Sequence, residues 1–469
     1  MAGTRRVLMI GLDCAAPELV FERYRDALPN LSRLMREGAW GRLRSTLPPI
    51  TVPAWASMFS GRDPGELGLY GFRNRERGSY ALRIADSSDV RVPMVWNRAG
   101  DAGKHVSVLF APPSFPPRAV NGELVSCFLT PSAEEPHTHP AALADELSAR
   151  FGPYRPDVDD YRTDELARLK SELYELTAQH FAIAEHVLRT RKPELLVMVE
   201  IGLDRFHHAF WSLIDERDPR HVPGNAFANA GREYYAFLDA RVGALVAAAR
   251  ETLAPGDELC VLVASDHGAR PLAGGICINE WLIEHGYLVL HEYPERVTPF
   301  DALRVDWSRT RVWGEGGYYG RVFFNVRGRE PQGCVAESDI AALRAQLKRE
   351  LAGVRGPKGE ALTHRIVAPD ECYRRCEGLP PDLAVFFGDL AYRALGSVGH
   401  RALHAANNDT GPDACNHDWD GMFVLHAPSC VRVRGELSGL QIQDVGATIL
   451  GLMGVAGEAD LLGRDWSRA

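Results

Sequence analysis

The chain has 469 residues, 45% of them hydrophobic, and a formal net charge of -9 at pH 7. Because single cores stop growing near ~250–300 residues, this length predicts one enzyme-sized unit with a smaller inserted unit. The acidic balance argues against nucleic acid as the main partner, since binding to a phosphate backbone requires a basic surface.

The first predicted element is a buried parallel strand over residues 6–12, a short apolar run that ends at Asp13. Ligands of open α/β sheets collect at the carboxyl ends of strands, so Asp13 stands where a metal ligand would lie, although a carboxylate after a strand is also an ordinary helix cap. Residues 1–6 leave no room for a secretory signal, and no stretch is apolar enough to span a bilayer. We therefore expect a cytoplasmic protein without a membrane partner.

The segment around Thr51 predicts a helix that begins beside a reactive hydroxyl. Pro48 and Pro49 end an extended run, and Pro53 fits a first helical turn, where the N–H groups lack partners. Thr51 would thus lie at a helix N-terminus, where free N–H groups and the helix dipole favour an anion. Its hydroxyl is either a nucleophile toward a phosphorus held there or a simple cap.

Two more buried strands are predicted over residues 106–110 and 195–201. The second leads to Asp204 and, four residues later, His208. Residues four apart share one face of a helix, so both side chains can reach one cation, whereas His207 would point away. The alternative is a capping aspartate and a packed histidine.

The clearest buried strand, over residues 259–264, runs directly into Ser265, Asp266, His267 and Gly268. This arrangement puts a carboxylate and an imidazole side by side where the backbone must turn sharply. It favours a metal site, although the same four residues can form an ordinary turn.

A late histidine completes the candidates. His417 lies in a polar loop before a strand predicted over residues 422–426. His400 and His404 are rival metal candidates because they are also four apart, but no clear strand leads to them.

Residues 296–378 are predicted to form a small α+β insert, a cap over the active face of a core made of residues 1–295 and 379–469. Its predicted elements are strands over 311–313 and 321–326 and a helix over 341–351. Residues 381–387 are predicted to return to the core sheet. The glycine-rich run 314–320 misses the dinucleotide fingerprint, since it precedes a strand instead of joining a strand to a helix.

Together, the candidates combine three carboxylates, three imidazoles and a hydroxyl, without a thiolate. This donor set suits Zn²⁺ or Mn²⁺ and is large enough for two adjacent ions. Two divalent ions would lower the pKa of an attacking oxygen and neutralise phosphoryl charge. The seven residues are Asp13, Thr51, Asp204, His208, Asp266, His267 and His417.

In this order, the motifs resemble those of the alkaline phosphatase superfamily, in particular its type I phosphodiesterase / nucleotide pyrophosphatase branch and the predicted phosphohydrolases and phosphomutases near it. The resemblance covers nearly the whole chain. It implies an α/β/α sandwich around a mostly parallel central sheet. It also implies that Asp13, Thr51, Asp266 and His267 hold one metal ion and that Asp204, His208 and His417 hold the other.

The sequence departs from this family at two points. Where nucleotide pyrophosphatases carry a phosphate-binding asparagine, this chain has Phe72, followed by Arg73 and Asn74. We therefore expect Arg73 and Asn74 to bind substrate, because a guanidinium makes paired hydrogen bonds to phosphate, although Arg73 could equally be a structural surface residue. A sulfatase is disfavoured because Thr51 cannot form the required aldehyde and the arginine of the sulfatase motif is missing.

The resulting hypothesis is a metal-dependent phosphohydrolase, acting on phosphodiesters or phosphomonoesters, in which Thr51 forms a phosphothreonine intermediate. We expect a small phosphorylated substrate and two divalent metal ions, with Zn²⁺ ahead of Mn²⁺. One alternative is a phosphomutase resembling cofactor-independent phosphoglycerate mutase, with the insert as a lid that excludes water. The other is a non-catalytic, metal-stabilised binding protein.

Overall fold

The computed structural model describes residues 4–430, 433–457 and 461–468. Nine strands within these ranges form one large sheet. In spatial order they are Gly435–Gln441, Ala39–Arg44, Asp420–His426, Glu258–Ala264, Arg5–Leu12, Leu195–Glu200, Val106–Leu109, Gly122–Val125 and Thr138–His139. Asp420–His426 and Thr138–His139 run antiparallel to their neighbours, and the other described pairs are parallel.

The large sheet has a hydrophobic core on each face. Successive side chains of a strand point to opposite faces, so Ile10 and Met9 belong to different apolar clusters. This arrangement confirms the predicted α/β/α sandwich. Helices on the Ile10 side are Pro29–Glu37, Ala142–Phe151, Leu166–Arg191, Gly202–Ile214 and Ala230–Glu251; those on the Met9 side are Thr51–Ser60, Val95–Asp101 and Gln443–Met453.

The remaining described helices and helical turns are mostly shorter than these. They are Pro64–Leu67, Ile278–Glu284 and Ile340–Leu351, the π-helical turn Leu19–Arg23, and the 3₁₀ turns Arg25–Ala27, Ser87–Asp89, Phe300–Ala302, Glu337–Asp339, Pro369–Glu371 and Trp466–Arg468. Among the described residues, no helix combines the length and the apolar composition that a membrane span requires.

Smaller sheets lie beside the large one. A four-stranded sheet has the order Val312–Glu315, Gly320–Phe324, Leu383–Phe386 and Arg365–Val367, and a three-stranded sheet has the order Tyr392–Leu395, Gly274–Cys277 and His404–Ala405. Two-stranded sheets pair Gly268–Pro271 with Cys415–Asp418 and Arg73–Arg75 with Leu82–Ile84.

Leu383–Phe386 corrects one prediction, because residues 381–387 were expected in the large sheet. In the structure this strand pairs with Gly320–Phe324 and Arg365–Val367 in the four-stranded sheet. All four of its side chains are buried, so its apolar pattern is that of a core strand in either sheet.

The limits of the predicted insert, 296 and 378, remain a prediction. The apolar cluster around the four-stranded sheet draws on residues outside them, since it begins at Ile276 and ends at Ala394.

The predicted strands that lead to the candidate site are confirmed. Those expected over 6–12, 106–110, 195–201, 259–264 and 422–426 correspond to Arg5–Leu12, Val106–Leu109, Leu195–Glu200, Glu258–Ala264 and Asp420–His426. The helix expected to begin near Thr51 spans Thr51–Ser60. Pro53 lies in its first turn, where the missing N–H has no helical partner to lose.

The helix that carries Thr51 is fixed by close packing against Gln443–Met453. A Cβ at Gly446 would lie 2.4 Å from the carbonyl oxygen of Met58, so the two backbones approach too closely for a larger residue. The position of Thr51 therefore depends on glycine at 446.

We expect Gly446→Ala to destabilise the protein by about 1–3 kcal/mol, because overpacking against a backbone carbonyl outweighs the higher helix propensity of alanine. Gly451→Ala in the same helix is the matched control. Its Cβ would meet the carboxylate end of the Asp465 side chain, which can rotate away. Urea and thermal unfolding measure both variants, and equal stability of the two would contradict the packing argument.

Candidate active site

Three adjacent parallel strands of the large sheet end at one edge and deliver the acidic residues of the site. The strands are Arg5–Leu12, Leu195–Glu200 and Glu258–Ala264. Asp13 and Asp266 follow the first and third strands closely, and Asp204 lies in the first turn of the helix after the second strand. The carboxyl ends of parallel strands are where α/β sheets bind ligands.

The first cluster consists of Asp13, Thr51, Asp266 and His267, all buried. His267 Nε2 lies 3.2 Å from Asp266 Oδ2, 3.6 Å from Asp13 Oδ1 and 3.3 Å from Thr51 Oγ1. The ligand atoms of the two aspartates and the histidine all lie within 4.8 Å of one another, so they could share one metal ion.

The second cluster consists of Asp204, His208 and His417, which are also buried. Asp204 Oδ1 lies 3.4 Å from His208 Nε2 and 3.5 Å from His417 Nε2. These three ligand atoms also lie within 4.8 Å of one another. His207 is directed elsewhere and pairs with the hydroxyl of Tyr235.

The two clusters are in contact. The rings of His267 and His417 stack with centroids 3.6 Å apart and planes 18° from parallel. The structure therefore brings together all seven residues that the sequence singled out, from five separate segments of the chain.

Each carboxylate of the two clusters is held through one oxygen. The donors are Trp55 Nε1 to Asp13 Oδ2 at 2.7 Å, the Cys14 backbone N–H to Asp266 Oδ1 at 3.2 Å, and Arg205 Nη1 to Asp204 Oδ2 at 2.6 Å. Within the described ranges, the other oxygen of each aspartate is buried without a hydrogen-bond partner. Three unpaired oxygens therefore face the interior of the site.

The imidazoles are held in the same manner, through Nδ1. His267 Nδ1 donates to the Gly268 carbonyl at 3.1 Å, His417 Nδ1 to the Pro49 carbonyl at 2.8 Å, and His208 Nδ1 to Asp413 Oδ1 at 2.8 Å. A carbonyl oxygen only accepts, so the proton lies on Nδ1 in the first two. Their Nε2 atoms therefore carry the lone pairs that metal ions bind, and the Nε2 of His208 is directed at Asp204.

The unpaired atoms fit divalent cations. A buried polar atom without a partner costs about 1–3 kcal/mol, and here such atoms are all electron-pair donors that face one another. Burial raises the pKa of Asp13 and of Asp266, and neighbouring carboxylates raise both further. Burial lowers the pKa of His417 to about 4, so its ring is neutral at pH 7. Oxygen and nitrogen donors of this kind suit Zn²⁺ and Mn²⁺.

Asp413 is an important residue that the sequence analysis missed. Its carboxylate is buried, orients His208, and is itself held by Arg162 Nε at 3.0 Å and Arg393 Nη2 at 3.1 Å. Burial raises the pKa of Asp413, but Arg393 and His208 outweigh it and hold that pKa well below its usual range. The available signal was its position four residues before His417, in a run that the sequence predicted to be a polar loop; the structure instead places His417 in the strand Cys415–Asp418, because it pairs with Gly268–Pro271.

Two other residues that hold the aspartates, Trp55 and Arg205, were only weakly indicated by the sequence. Trp55 lies one helical turn after Thr51, so it shares the face that looks into the first cluster. Arg205 directly follows Asp204, and local sequence does not indicate that it turns back onto that carboxylate. Sequence patterns identify ligands more readily than the groups that orient them.

The predicted substrate-binding residues Arg73 and Asn74 lie on the hairpin Arg73–Arg75/Leu82–Ile84. Asn74 holds its own turn, since Oδ1 accepts from the Tyr70 N–H at 2.8 Å and Nδ2 donates to the Gly71 carbonyl at 3.2 Å. Arg73 is exposed. No hydrogen bond joins either side chain to the clusters in the part of the chain that the structure describes, and their role in substrate binding remains a prediction.

The rival histidines have other partners. His400 Nε2 pairs with Ser397 Oγ at 2.8 Å, and His404 Nε2 pairs with the Arg355 carbonyl at 2.8 Å. Neither belongs to a group of metal-ligand side chains among the described residues.

Comparisons with known proteins give one family and several solved structures. The family model described as type I phosphodiesterase / nucleotide pyrophosphatase matches residues 7–410. Phosphonoacetate hydrolase from Sinorhizobium meliloti 1021, in complex with phosphonoformate, is similar with a TM-score of 0.60 at 17% identity, over 97% of this chain and 96% of that one. None of the curated proteins compared with the chain matches it.

Ectonucleotide pyrophosphatase / phosphodiesterase 5 is similar as well. The human structure has a TM-score of 0.58 at 12% identity and covers 98% of both chains. The murine protein, in an inactive threonine-to-alanine variant in complex with AMP, has a TM-score of 0.58 at 12% identity, over 99% of this chain and 98% of that one. At these identities, the structural similarity shows a shared fold and nothing more.

We expect Asp413→Asn to weaken binding of the metal ion at the second cluster by ~10- to 100-fold, because groups that orient a ligand contribute that much to metal affinity. Calorimetric titration of metal-free protein with Zn²⁺ measures this loss. Asp409→Asn is the control, since that exposed residue of the same loop bonds Ser397 and not a cluster residue. Wild-type affinity in both variants would contradict the assignment.

Proposed function

This chain belongs to the type I phosphodiesterase / nucleotide pyrophosphatase family, and we propose that it hydrolyses small phosphoric esters with Thr51 as the nucleophile. The observation that carries the proposal is the place of the Thr51 hydroxyl. It is buried in the first turn of a helix, 3.3 Å from His267 Nε2, among the unpaired ligand atoms of the first cluster. A nucleophilic hydroxyl needs an adjacent activating group and a binding site for the phosphoryl group, and this position supports both.

The metal requirement follows from the donor set. We propose that the first cluster holds one divalent ion, with Thr51 as a ligand, and that the second cluster holds another. Zn²⁺ is our first choice and Mn²⁺ the second, because the six carboxylate and imidazole ligands suit both ions. When bound, such ions lower the pKa of a neighbouring hydroxyl and neutralise charge on phosphoryl oxygens.

The residues of the chain then have separate roles. The free N–H groups at the start of Thr51–Ser60 bind phosphoryl oxygens, and Thr51 Oγ1 forms a bond to phosphorus while the bond to the leaving alcohol breaks. Water subsequently hydrolyses the phosphothreonine. This step restores the hydroxyl and releases phosphate from a monoester substrate or a phosphomonoester from a diester substrate. Trp55 keeps Asp13 in place throughout.

Similar folds support a small phosphorus-containing substrate. One is a phosphonoacetate hydrolase with phosphonoacetate bound, and another is a phosphodiesterase whose inactive threonine-to-alanine variant holds AMP. We retain Arg73 as a proposed substrate-binding residue and assign Asn74 the task of ordering the turn that carries it. A cytoplasmic location remains a prediction from the sequence alone.

We expect Thr51→Ala to lower turnover of an aryl phosphate or an aryl phosphodiester by at least ~10³-fold, because loss of a nucleophile removes the covalent route. Thr51→Ser keeps a hydroxyl and should retain measurable turnover. Both are assayed with added Zn²⁺ or Mn²⁺, and metal content is determined in parallel. Undiminished activity of Thr51→Ala would reject Thr51 as the nucleophile, and a wild-type protein inactive across monoesters, diesters and pyrophosphates would favour a binding protein.

A phosphomutase is the second candidate, and the burial of the site favours it. Tyr318, from the turn between the strands Val312–Glu315 and Gly320–Phe324, stacks on His417 with ring centroids 3.7 Å apart, so this hairpin covers the second cluster. A covered site can exclude water and return the phosphoryl group to another hydroxyl.

Product analysis with sugar and glycerate phosphates separates these two functions. Hydrolysis, our proposal, should release one inorganic phosphate for each substrate consumed. An isomeric phosphate with almost no free phosphate would instead identify a mutase. Quantitative phosphate release together with phosphorus NMR of the products provides the measurement.

A further inference from the structure

The glycine-rich run at residues 314–320 forms the tip of a hairpin that reaches the metal site. It joins the strands Val312–Glu315 and Gly320–Phe324. A Cβ at Gly316 would lie 2.4 Å from the backbone nitrogen of Gly396, so the tip packs directly against a neighbouring backbone. Gly317 has a φ of +132°, which L side chains rarely adopt. The glycines therefore permit the tip of the hairpin to pack closely against the neighbouring backbone.

This approach places Tyr318 inside the second cluster. Its ring stacks on His417, with planes 29° apart, and the Arg393 guanidinium lies 4.1 Å from the ring centroid. Its hydroxyl oxygen lies 3.3 Å from His208 Nε2. Asp413 pairs with Nδ1 of the same imidazole, so the hydroxyl faces the other ring nitrogen, which is the one directed at Asp204.

Three of the distances between donor atoms in and beside the second cluster are close to the edge length of a tetrahedral zinc site. Donors at ~2.0–2.1 Å from a tetrahedral zinc ion are separated from one another by about 3.3 Å. Asp204 Oδ1 lies 3.4 and 3.5 Å from the two imidazole nitrogens, and the Tyr318 hydroxyl lies 3.3 Å from one of them. The tyrosine oxygen is thus spaced like another ligand.

We propose that Tyr318 is a fourth protein ligand of the metal ion held by Asp204, His208 and His417, an inference that rests on the two-ion site of the proposed function. Zinc sites with three protein ligands keep an open position, whereas sites with four are closed. With a metal ion bound, Tyr318 would fill the position that a three-ligand site leaves open to substrate. The smaller unit thereby controls access to one of the two ions.

Calorimetric titration of metal-free protein with Zn²⁺ tests this assignment. Tyr318→Phe keeps the ring that stacks on His417 and removes only the oxygen, so we expect the affinity of one ion to fall at least ~10-fold, with no change for the other ion. Tyr319→Phe is the matched control, because the hydroxyl of Tyr319 donates to the Tyr70 carbonyl, outside both clusters.

Ultraviolet difference spectra provide a second readout that does not depend on turnover. Zinc binding should produce the absorption change of a phenol converted to phenolate in the wild type and in Tyr319→Phe, and not in Tyr318→Phe. Unchanged Zn²⁺ affinity in Tyr318→Phe, or an unchanged phenolate signal, would overturn the assignment. If that variant lost turnover alone, the hydroxyl would contact substrate instead of metal. Because these titrations measure metal binding, they decide the role of Tyr318 even if Thr51 is not the nucleophile.

Discussion

The constraint on which the site depends is the burial of three aspartates in one small volume. Unpaired carboxylates repel one another and lose hydration there, which is unfavourable for folding. The three aspartates share one hydrogen-bonding arrangement. One oxygen accepts a hydrogen bond from Trp55, Arg205 or the Cys14 backbone, and the other stays without a partner among the described residues. Anchoring through one atom fixes the direction of the unpaired atom. The free energy of folding is thus less favourable than it would be with paired oxygens, and in return the ligand atoms are oriented for cations.

His417 connects the parts of this arrangement. Its Nδ1 donates to the carbonyl of Pro49, just before the helix that begins at Thr51. Its ring stacks on His267 of the first cluster and on Tyr318. A displacement of this one side chain would affect the segment that leads to Thr51, the second cluster and the hairpin that carries Tyr318. The two clusters consequently behave as a single structure.

The sequence was informative where local physics decides the outcome. Buried strands that end abruptly in a polar residue located Asp13 and Asp266, and the spacing of four residues located Asp204 and His208. It failed where the deciding contact is distant along the chain. Asp413 and Tyr318 matter through neighbours more than a hundred residues away in sequence, and no local pattern records them. The strand at 383–386 was assigned to the wrong sheet for a related reason, because full burial gives the same apolar run in either sheet.

The order of strands in the large sheet determines when this molecule can become complete during its synthesis. Ala39–Arg44 is made early, but its described neighbours are Asp420–His426 and Gly435–Gln441, which are made much later. A nascent chain that has not yet emerged past residue 426 leaves that early strand without pairing partners and the acidic site without its last imidazole. Pairing between such distant segments makes for slow, late assembly. The large sheet and the second cluster are therefore completed by the same late segment, since Asp420–His426 closely follows His417.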